Sequence, residues 1–251
     1  MNSPVTREIA DKLDDLLREL AAPLPPPIRT AVTGQEFRWE HVDQTPLVLL
    51  IAKTVRMVSG IRASLMLADA GFVTESASLL RMISDFQTEV VAIATGMLSG
   101  KPTVAQHKFV EQFFALLPRT PEEMREQEKK SYVSREDLLK SHVNLANEHG
   151  QDGEGLRDAT RFLNRLYDSY VHGGYQSAME LYHGDDRWFM TSGHTGGERL
   201  AVARVNVAGK LLEILTAMEL IALVERNEEL FMEIRGFSVR LASSGEDSRQ
   251  A

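Results

Sequence analysis

The chain has 251 residues, a formal net charge of −8, 43% hydrophobic residues and no cysteine. This composition is typical of a globular protein with enough apolar residues for a sizeable core, in one large domain or two small ones. The lack of cysteine excludes disulfides, thiolate nucleophiles and cysteine-ligated metals. The negative charge argues against a surface that is basic overall, although it allows a local basic groove.

The hydropathy pattern predicts a soluble cytoplasmic protein without a membrane partner. Acidic residues occur within residues 1–17, where a secretory signal has a basic start and an apolar run. The longest apolar run, residues 47–52, is followed by Lys53 and Arg56. It is far shorter than the roughly 20 residues that a membrane-spanning helix needs.

Apolar residues recur with helical periodicity along most of the chain, and no strand-like alternation persists. The predicted helices, in chain order, cover residues 4–22, 45–70, 72–98, 103–117, 121–132, 134–147, 154–172, 175–182 and 198–227. The two long helices on either side of Gly71 are expected to form an antiparallel hairpin. The predicted fold class is therefore all-α, a helical bundle built on this hairpin.

Composition divides the chain into three predicted regions. Residues 1–44 are an N-terminal helix and a connector that contains the proline-rich run 23–27. Residues 45–235 are the helical-bundle domain, and residues 236–251 are a polar C-terminal tail. The helix predicted at 198–227 is apolar around most of its circumference, which implies contact on more than one side, within the bundle or in a dimer.

The helix before Gly173 has two chemically distinct sides when its residues are placed at 100° intervals. Its apolar side comprises Ala159, Phe162, Leu163, Leu166 and Tyr170. The opposite polar stripe comprises Arg161, Arg165, Asp168 and His172. Asp168 lies one turn before His172, within reach of a hydrogen bond to the ring. Gly173 and Gly174 end the helix, and its dipole favours the protonated imidazole at that end.

A second polar stripe, on the predicted helix 72–98, contains Arg81 and Asp85. If the two stripes face each other across a groove, their arginines can hold a phosphate or carboxylate. His172, steered by Asp168, can then act as general acid or base. The alternative is that each stripe is a solvated helix face, with Arg81 and Asp85 forming an i,i+4 ion pair worth about 0.3 kcal/mol. Both interpretations stay open.

Neither a metal nor another cofactor is predicted. The seven histidines show no ligand spacing, and neither H-E-x-x-H nor paired Glu-x-x-His occurs. The glycine-rich segment 192–197 lacks the Gly-Lys-Ser/Thr of a phosphate-binding P-loop. It is either a plain surface loop or a flap that brings His194 over a pocket.

Two short segments resemble a bacterial all-α family of unknown function within the HEPN-like superfamily. They are Ala77–Asp85 (ASLLRMISD) and Tyr167–Gly173 (YDSYVHG), within a similarity that spans about residues 45–225. The resemblance implies a helical bundle that is often dimeric. HEPN-like proteins include metal-independent RNases that use an arginine and a histidine a few residues apart, as Arg165 and His172 are here. Related members bind nucleotides or act in toxin and phage-defence systems.

The candidate site combines the two stripes with this resemblance. Its catalytic residues are His172, Arg165 and Asp168, and its binding residues are Arg81, Asp85, Arg161, Ser169 and His194. We expect a homodimer that cleaves RNA without metal. One alternative is a non-catalytic regulatory module that binds a nucleotide or a partner helix in the same groove. Another is a scaffold without a small-molecule site.

Overall fold

The computed structural model describes residues 4–31, 37–115, 121–128, 132–148, 150–183, 187–189, 191–193 and 197–250. Over these residues the chain forms ten helices and two short β-hairpins, so the predicted all-α class is confirmed as a mostly helical fold. None of the helices within the described ranges is long and apolar enough to cross a membrane.

Most of the helices begin and end close to the predicted boundaries. In chain order they are α1 (Pro4–Ala21), α2 (Pro46–Asp69), α3 (Val73–Ser99), α4 (Val104–Phe114), α5 (Pro121–Glu128), α6 (Arg135–Glu148), α7 (Gly153–Val171), α8 (Tyr175–Met179), α9 (Glu198–Val224) and α10 (Glu228–Gln250). The strands are β1 (Ile28–Ala31), β2 (Phe37–Glu40), β3 (Tyr182–His183) and β4 (Trp188–Phe189). Each strand pair, β1 with β2 and β3 with β4, is antiparallel.

Helices α2 and α3 pack side by side in opposite directions. Thr45 caps α2 by accepting a hydrogen bond from the backbone N–H of Val48, and Pro46 occupies the first turn. Between the two helices Gly71 takes a φ of 85°, which a residue with a Cβ rarely adopts. The hydroxyl oxygens of Ser64 and Ser76 then lie 2.7 Å apart inside the α2–α3 contact.

Helix α9 completes the centre of the fold by packing against both α2 and α3. The large side chains that are less than 2% exposed come from five helices: Leu13, Leu16, Leu20, Leu49, Leu50, Met57, Ile61, Leu80, Ile83, Leu138, Ile214 and Leu215. Each such burial stabilises the fold by about 1.5–3 kcal/mol. Because three of these leucines belong to α1, the N-terminal helix shares the core of the bundle.

The C-terminal segment differs from the predicted polar tail at 236–251, since α10 continues through Gln250. Leu230 and Ile234 are buried, and Phe237 and Leu241 pack partly against the core. These four residues are spaced four, three and four apart and therefore fall on one helix face. The prediction of a tail followed the polar composition of residues 242–251, which outweighs the apolar stripe before them.

The connector after the proline-rich run, for which no strand was predicted, contains the β1–β2 hairpin, in which Arg29 is paired with Trp39. Its β-branched and aromatic residues suit a pleated strand. The Arg29 guanidinium also lies 3.7 Å from the centre of the Phe37 ring. Residues 116–117 and 129–131, which were predicted to be helical, lie outside the described residues. Residue 22, the predicted end of the first helix, lies in a turn.

The candidate site lies where α7 and α6 pack against α3. Helix α6 begins with a capping box: the backbone N–H of Asp137 donates to Ser134 Oγ at 3.1 Å, and the backbone N–H of Ser134 donates to Asp137 Oδ2 at 3.3 Å. The Ser134 hydroxyl also donates to Asp137 Oδ2 at 2.7 Å, and this hydrogen bond, followed by the one from Lys140, lowers the pKa of Asp137. The cap fixes the first turn of α6, which contributes charged residues to the site.

Candidate functional site

The polar stripes of α3 and α7 meet at Arg81 and Asp168. The Arg81 side chain is 6% exposed, and its Nε donates a 2.6 Å hydrogen bond to Asp168 Oδ1. Arg81 Nη1 also forms an ion pair with Asp85, one turn further along α3. The Asp168 side chain is 45% exposed, so the pair has one buried partner and one that faces solvent.

Helix α6 adds two residues that the sequence did not identify. Arg135 Nη2 donates a 2.5 Å hydrogen bond to Asp85 Oδ2, and the Arg161 guanidinium is bonded to Glu136. The hydrogen bond to Glu136 raises the pKa of Arg161. The resulting network ties α6 to both α3 and α7. The only local sequence signal at Arg135 and Glu136 is that both are charged residues in the first turn of a helix. That signal does not predict which residues they bind.

Two depressions lie on either side of the Arg81–Asp168 pair, and Arg135 borders both of them. The first has a volume of about 570 Å³ and is also lined by Asp85 and His172. The second has a volume of about 540 Å³ and is also lined by Glu136, Arg161, Asn164 and Arg165. Because they share three residues, we treat them together as the α3/α6/α7 groove.

Two side chains of the groove remain accessible to a ligand: the cationic Arg165 and the titratable His172. Both are exposed, and neither side chain has a hydrogen-bond or ion-pair partner within the part of the chain that the structure describes. They lie seven residues apart on α7, or about 10 Å along the helix axis. An anion that entered the groove would therefore meet two unoccupied side chains on the same helix.

The expected hydrogen bond from the His172 ring to Asp168 is not formed. Asp168 Oδ1 instead accepts from Arg81, and His172 reaches residue 168 only through its backbone N–H, which donates to the Asp168 carbonyl at 3.0 Å. A charge-assisted bond to a buried guanidinium is stronger than one to a solvated imidazole, which explains this choice of partner. The ring of His172 is therefore not oriented by Asp168.

Ser169, assigned to the site from the sequence, lines neither depression. Its hydroxyl donates to the Leu166 carbonyl at 2.8 Å, and its own carbonyl accepts from the Ser177 hydroxyl at 2.7 Å. Ser169 therefore links the end of α7 to α8 and has a structural role. His194 lies outside the described residues.

The groove is more positive than the rest of this acidic chain. It is lined by four arginines and three carboxylates, so it carries one net positive charge while His172 is neutral. The whole chain carries −8. A local excess of arginine, with one guanidinium unpaired, favours ligands that carry phosphate or carboxylate groups.

Within the described ranges, no three histidine, aspartate or glutamate side chains are grouped closely enough to hold a metal ion. The prediction of a metal-independent site is not tested by this finding and stays a prediction.

No protein family, curated protein or solved structure matches the chain. The HEPN-like resemblance therefore still depends on the two short segments in α3 and α7.

Proposed function

We propose that this protein is a HEPN-like, metal-independent ribonuclease that binds RNA across the α3/α6/α7 groove. The observation that supports this most is that Arg165 and His172 each line one of the two depressions beside the Arg81–Asp168 pair, and both side chains are exposed and have no partner among the described residues. An unpaired guanidinium is suited to a phosphodiester, and imidazole is suited to proton transfer near neutral pH.

In the proposed reaction the ribose 2′ oxygen attacks the adjacent phosphorus, and the bond from phosphorus to the 5′ oxygen breaks. The products are a 2′,3′-cyclic phosphate and a 5′ hydroxyl. The proton lost by the 2′ hydroxyl and the proton gained by the departing 5′ oxygen both pass through His172. Arg165 stabilises the extra negative charge of the pentavalent phosphate, since a fixed cation in place before reaction needs little reorganisation.

In the proposed ribonuclease, Arg81 and Asp85 are positioning residues. Arg81 is buried and bonded to Asp168, so it fixes α7 against α3 and does not contact RNA. Asp85 accepts from Arg135 and fixes α6 in the same way. The groove thus has a rigid charged floor, above which Arg165 and His172 are free to contact the ligand.

One observation favours a second function: Asp168 accepts a hydrogen bond from Arg81 and none from the His172 ring. Because a catalytic histidine is usually oriented through its second ring nitrogen, the unsupported ring of His172 suits a binding contact better than proton transfer. Under this alternative the groove holds a nucleotide in a non-catalytic regulatory module. Under either function the protein would act in the cytoplasm, and it would be a homodimer, as the resemblance implies.

RNA cleavage in the presence of EDTA tests the proposal. Purified wild-type protein, His172→Ala, Arg165→Ala and the control Arg125→Ala are incubated with mixed RNA. Arg125 is an exposed arginine on α5, outside the groove. We expect cleavage by the wild type and the control, and a rate at least about 100-fold lower without His172. Equal RNA survival in all four samples would refute the nuclease.

Thermal unfolding with nucleotides then tests the alternative. A nucleotide present at 100 times its dissociation constant adds about 2.7 kcal/mol to the free energy of unfolding. We expect that stabilisation in the wild type, a smaller one in His172→Ala, which lacks one contact, and its loss in Arg165→Ala. The same thermal shift in Arg165→Ala as in the wild type would place the nucleotide outside the groove.

A further inference from the structure

A cleft between α3, α7 and α9 shares no lining residue with the α3/α6/α7 groove. Its volume is about 410 Å³. Small-molecule sites typically measure about 300–1,000 Å³, so the cleft suits a ligand at the small end of that range. Its apolar lining includes Val73 and Leu80 of α3 and Ala203 of α9, none of which is more than 9% exposed. The cleft therefore has an apolar floor that belongs to the packed interior of the bundle.

Two of the polar side chains that line this cleft already have partners. The Tyr170 hydroxyl donates a 2.9 Å hydrogen bond to Glu180 Oε1, and the hydroxyl oxygens of Ser76 and Ser64 lie 2.7 Å apart. Burial, followed by the hydrogen bond to Glu180, raises the pKa of Tyr170 to about 12, so the phenol keeps its proton near neutral pH. The Tyr170–Glu180 hydrogen bond thus joins α7 to the segment after α8 and fixes one side of the cleft.

Three further polar side chains of the cleft have no such partner. Glu198, Arg199 and Asn206, all from α9, are exposed and make no side-chain hydrogen bond or ion pair within the described part of the chain. Glu198 and Arg199 do not neutralise each other, because consecutive residues of a helix point in different directions. Beside its apolar floor the cleft therefore presents one unpaired carboxylate, one unpaired guanidinium and one free amide.

We propose that this cleft binds an α-amino acid with an apolar side chain. Arg199 binds the ligand's carboxylate, Glu198 binds its ammonium group, and the ligand's side chain packs on the floor at Val73 and Leu80. Guanidinium groups are well suited to carboxylates, which they can bind through two parallel hydrogen bonds. An α-amino acid carries its two opposite charges at one end of the molecule, as the cleft carries Glu198 and Arg199 on consecutive residues.

The charges of the cleft also distinguish its ligand from that of the groove. The carboxylates of Glu180 and Glu198 and the guanidinium of Arg199 together give the cleft a net charge of −1. A negative site repels a nucleotide or another polyanion, whereas the positive groove attracts one. A ligand with a single charge would use only one of the two unpaired groups of α9. The amino-acid site does not depend on the proposed ribonuclease, since the two sites share no residue.

Isothermal titration calorimetry of the full chain, without RNA, tests the site with L-leucine, L-phenylalanine and L-serine. We expect saturable binding of the two apolar amino acids and at least about tenfold weaker binding of serine, which has no apolar side chain to bury. Two analogues of the tighter ligand each lack one charge. Isopentylamine or phenethylamine lacks the carboxylate, and 4-methylpentanoate or 3-phenylpropionate lacks the ammonium group. Each analogue should bind at least about tenfold more weakly than the amino acid.

Substitutions then assign each charge of the ligand to one residue. Arg199→Gln should weaken binding of the amino acid at least about tenfold and leave the affinity for the amine analogue within about twofold. Glu198→Gln should weaken the amino acid similarly and leave the affinity for the carboxylate analogue unchanged. The matched controls, Arg125→Gln on α5 and Glu111→Gln on α4, replace exposed residues outside the cleft and should bind as the wild type does.

Three results would overturn the proposal: no saturable binding of either apolar amino acid at millimolar concentration, binding of serine as tight as theirs, or an Arg199→Gln variant that loses the amine as strongly as the amino acid. None of these measurements involves RNA. Failure of the amino-acid site would therefore leave the ribonuclease standing, and an absence of RNA cleavage would leave the amino-acid site standing.

Discussion

Arg81 Nε and Asp168 Oδ1, 2.6 Å apart, join the centre of the bundle to the helix that carries Arg165 and His172. The two residues are 87 positions apart in the sequence, so only the packing of α7 on α3 brings them together. Because the arginine is buried and the aspartate half-exposed, the bond both stabilises this packing and sets the orientation of the groove.

Replacing Arg81 with methionine should therefore lower the free energy of unfolding. Loss of one partner of a buried pair costs about 3–5 kcal/mol, and we expect about 2 kcal/mol here because Asp168 reaches solvent and Asp85 keeps Arg135. Chemical denaturation measures the change. The control Arg125→Met removes an exposed pair with Glu122 and should change stability by less than about 0.5 kcal/mol. Equal effects of the two substitutions would contradict the structural role of Arg81.

Glu225, at the C-terminal end of α9, should make the stability depend on pH. Both carboxylate oxygens are buried and lack a hydrogen-bond partner within the described residues, and burial raises the pKa of Glu225 to about 7. The folded state thus holds this proton more tightly than the unfolded chain, whose glutamates titrate near 4.5. The stability gained from this proton is complete below pH 4.5 and is lost as the pH rises through 7.

Glu225→Gln removes the buried charge and should raise the melting temperature at pH 8. We expect a gain of about 3 °C, from about 1 kcal/mol after allowance for solvent screening of a half-buried group. The gain should be clearly smaller at pH 5, where the native Glu225 is protonated. Glu111→Gln, an exposed residue of α4, is the control and should leave the melting temperature unchanged at both pH values. A gain for Glu225→Gln that is equal at the two pH values would contradict the assigned pKa.

Gly193 should tolerate a side chain less well than Gly197, although both have positive φ angles, of 87° and 91°. A Cβ at Gly193 would lie 2.5 Å from the backbone carbonyl oxygen of Ala70, which cannot move aside without shifting the α2–α3 turn. At Gly197 it would meet no atom of the described residues within 4 Å. We expect Gly197→Ala to cost about 1 kcal/mol and Gly193→Ala at least about 2 kcal/mol. Equal losses in chemical denaturation would show that residue 193 does not pack against this turn.

Local signals explain why most helices were predictable from the sequence. Thr45-Pro46, Gly71 and the Ser134–Asp137 capping box act within a few residues, so they fix helix boundaries whatever the rest of the chain does. Helix α10 was missed because its apolar stripe, from Leu230 to Leu241, is followed by the polar residues 242–251, whose composition is typical of a tail. The β1–β2 hairpin was missed because four-residue strands are too short to show a persistent alternation.

The site was only partly predictable, for a different reason. Helical periodicity placed Arg165, Asp168 and His172 on one side of α7, and in the structure Asp168 borders both depressions while Arg165 and His172 border one each. The choice of Arg81 as the partner of Asp168 depends on the packing of α7 on α3, which no local pattern encodes. The same holds for Arg135 and Glu136, because the position of α6 is set by contacts between distant parts of the chain.

The most direct test of the account is the affinity of the groove for RNA whose 2′ oxygens are methylated, so that it can bind but cannot be cleaved. Fluorescence anisotropy over a range of salt concentrations compares the wild type with Arg165→Ala, His172→Ala and the control Arg125→Ala. Loss of a phosphate contact weakens binding and lowers the salt dependence by about one counterion.

We predict that Arg165→Ala binds the methylated RNA at least about fivefold more weakly, with that smaller salt dependence, while His172→Ala and Arg125→Ala bind within about twofold of the wild type. Binding by Arg165→Ala with the affinity and salt dependence of the wild type would contradict the central claim that Arg165 holds an RNA phosphate in the α3/α6/α7 groove.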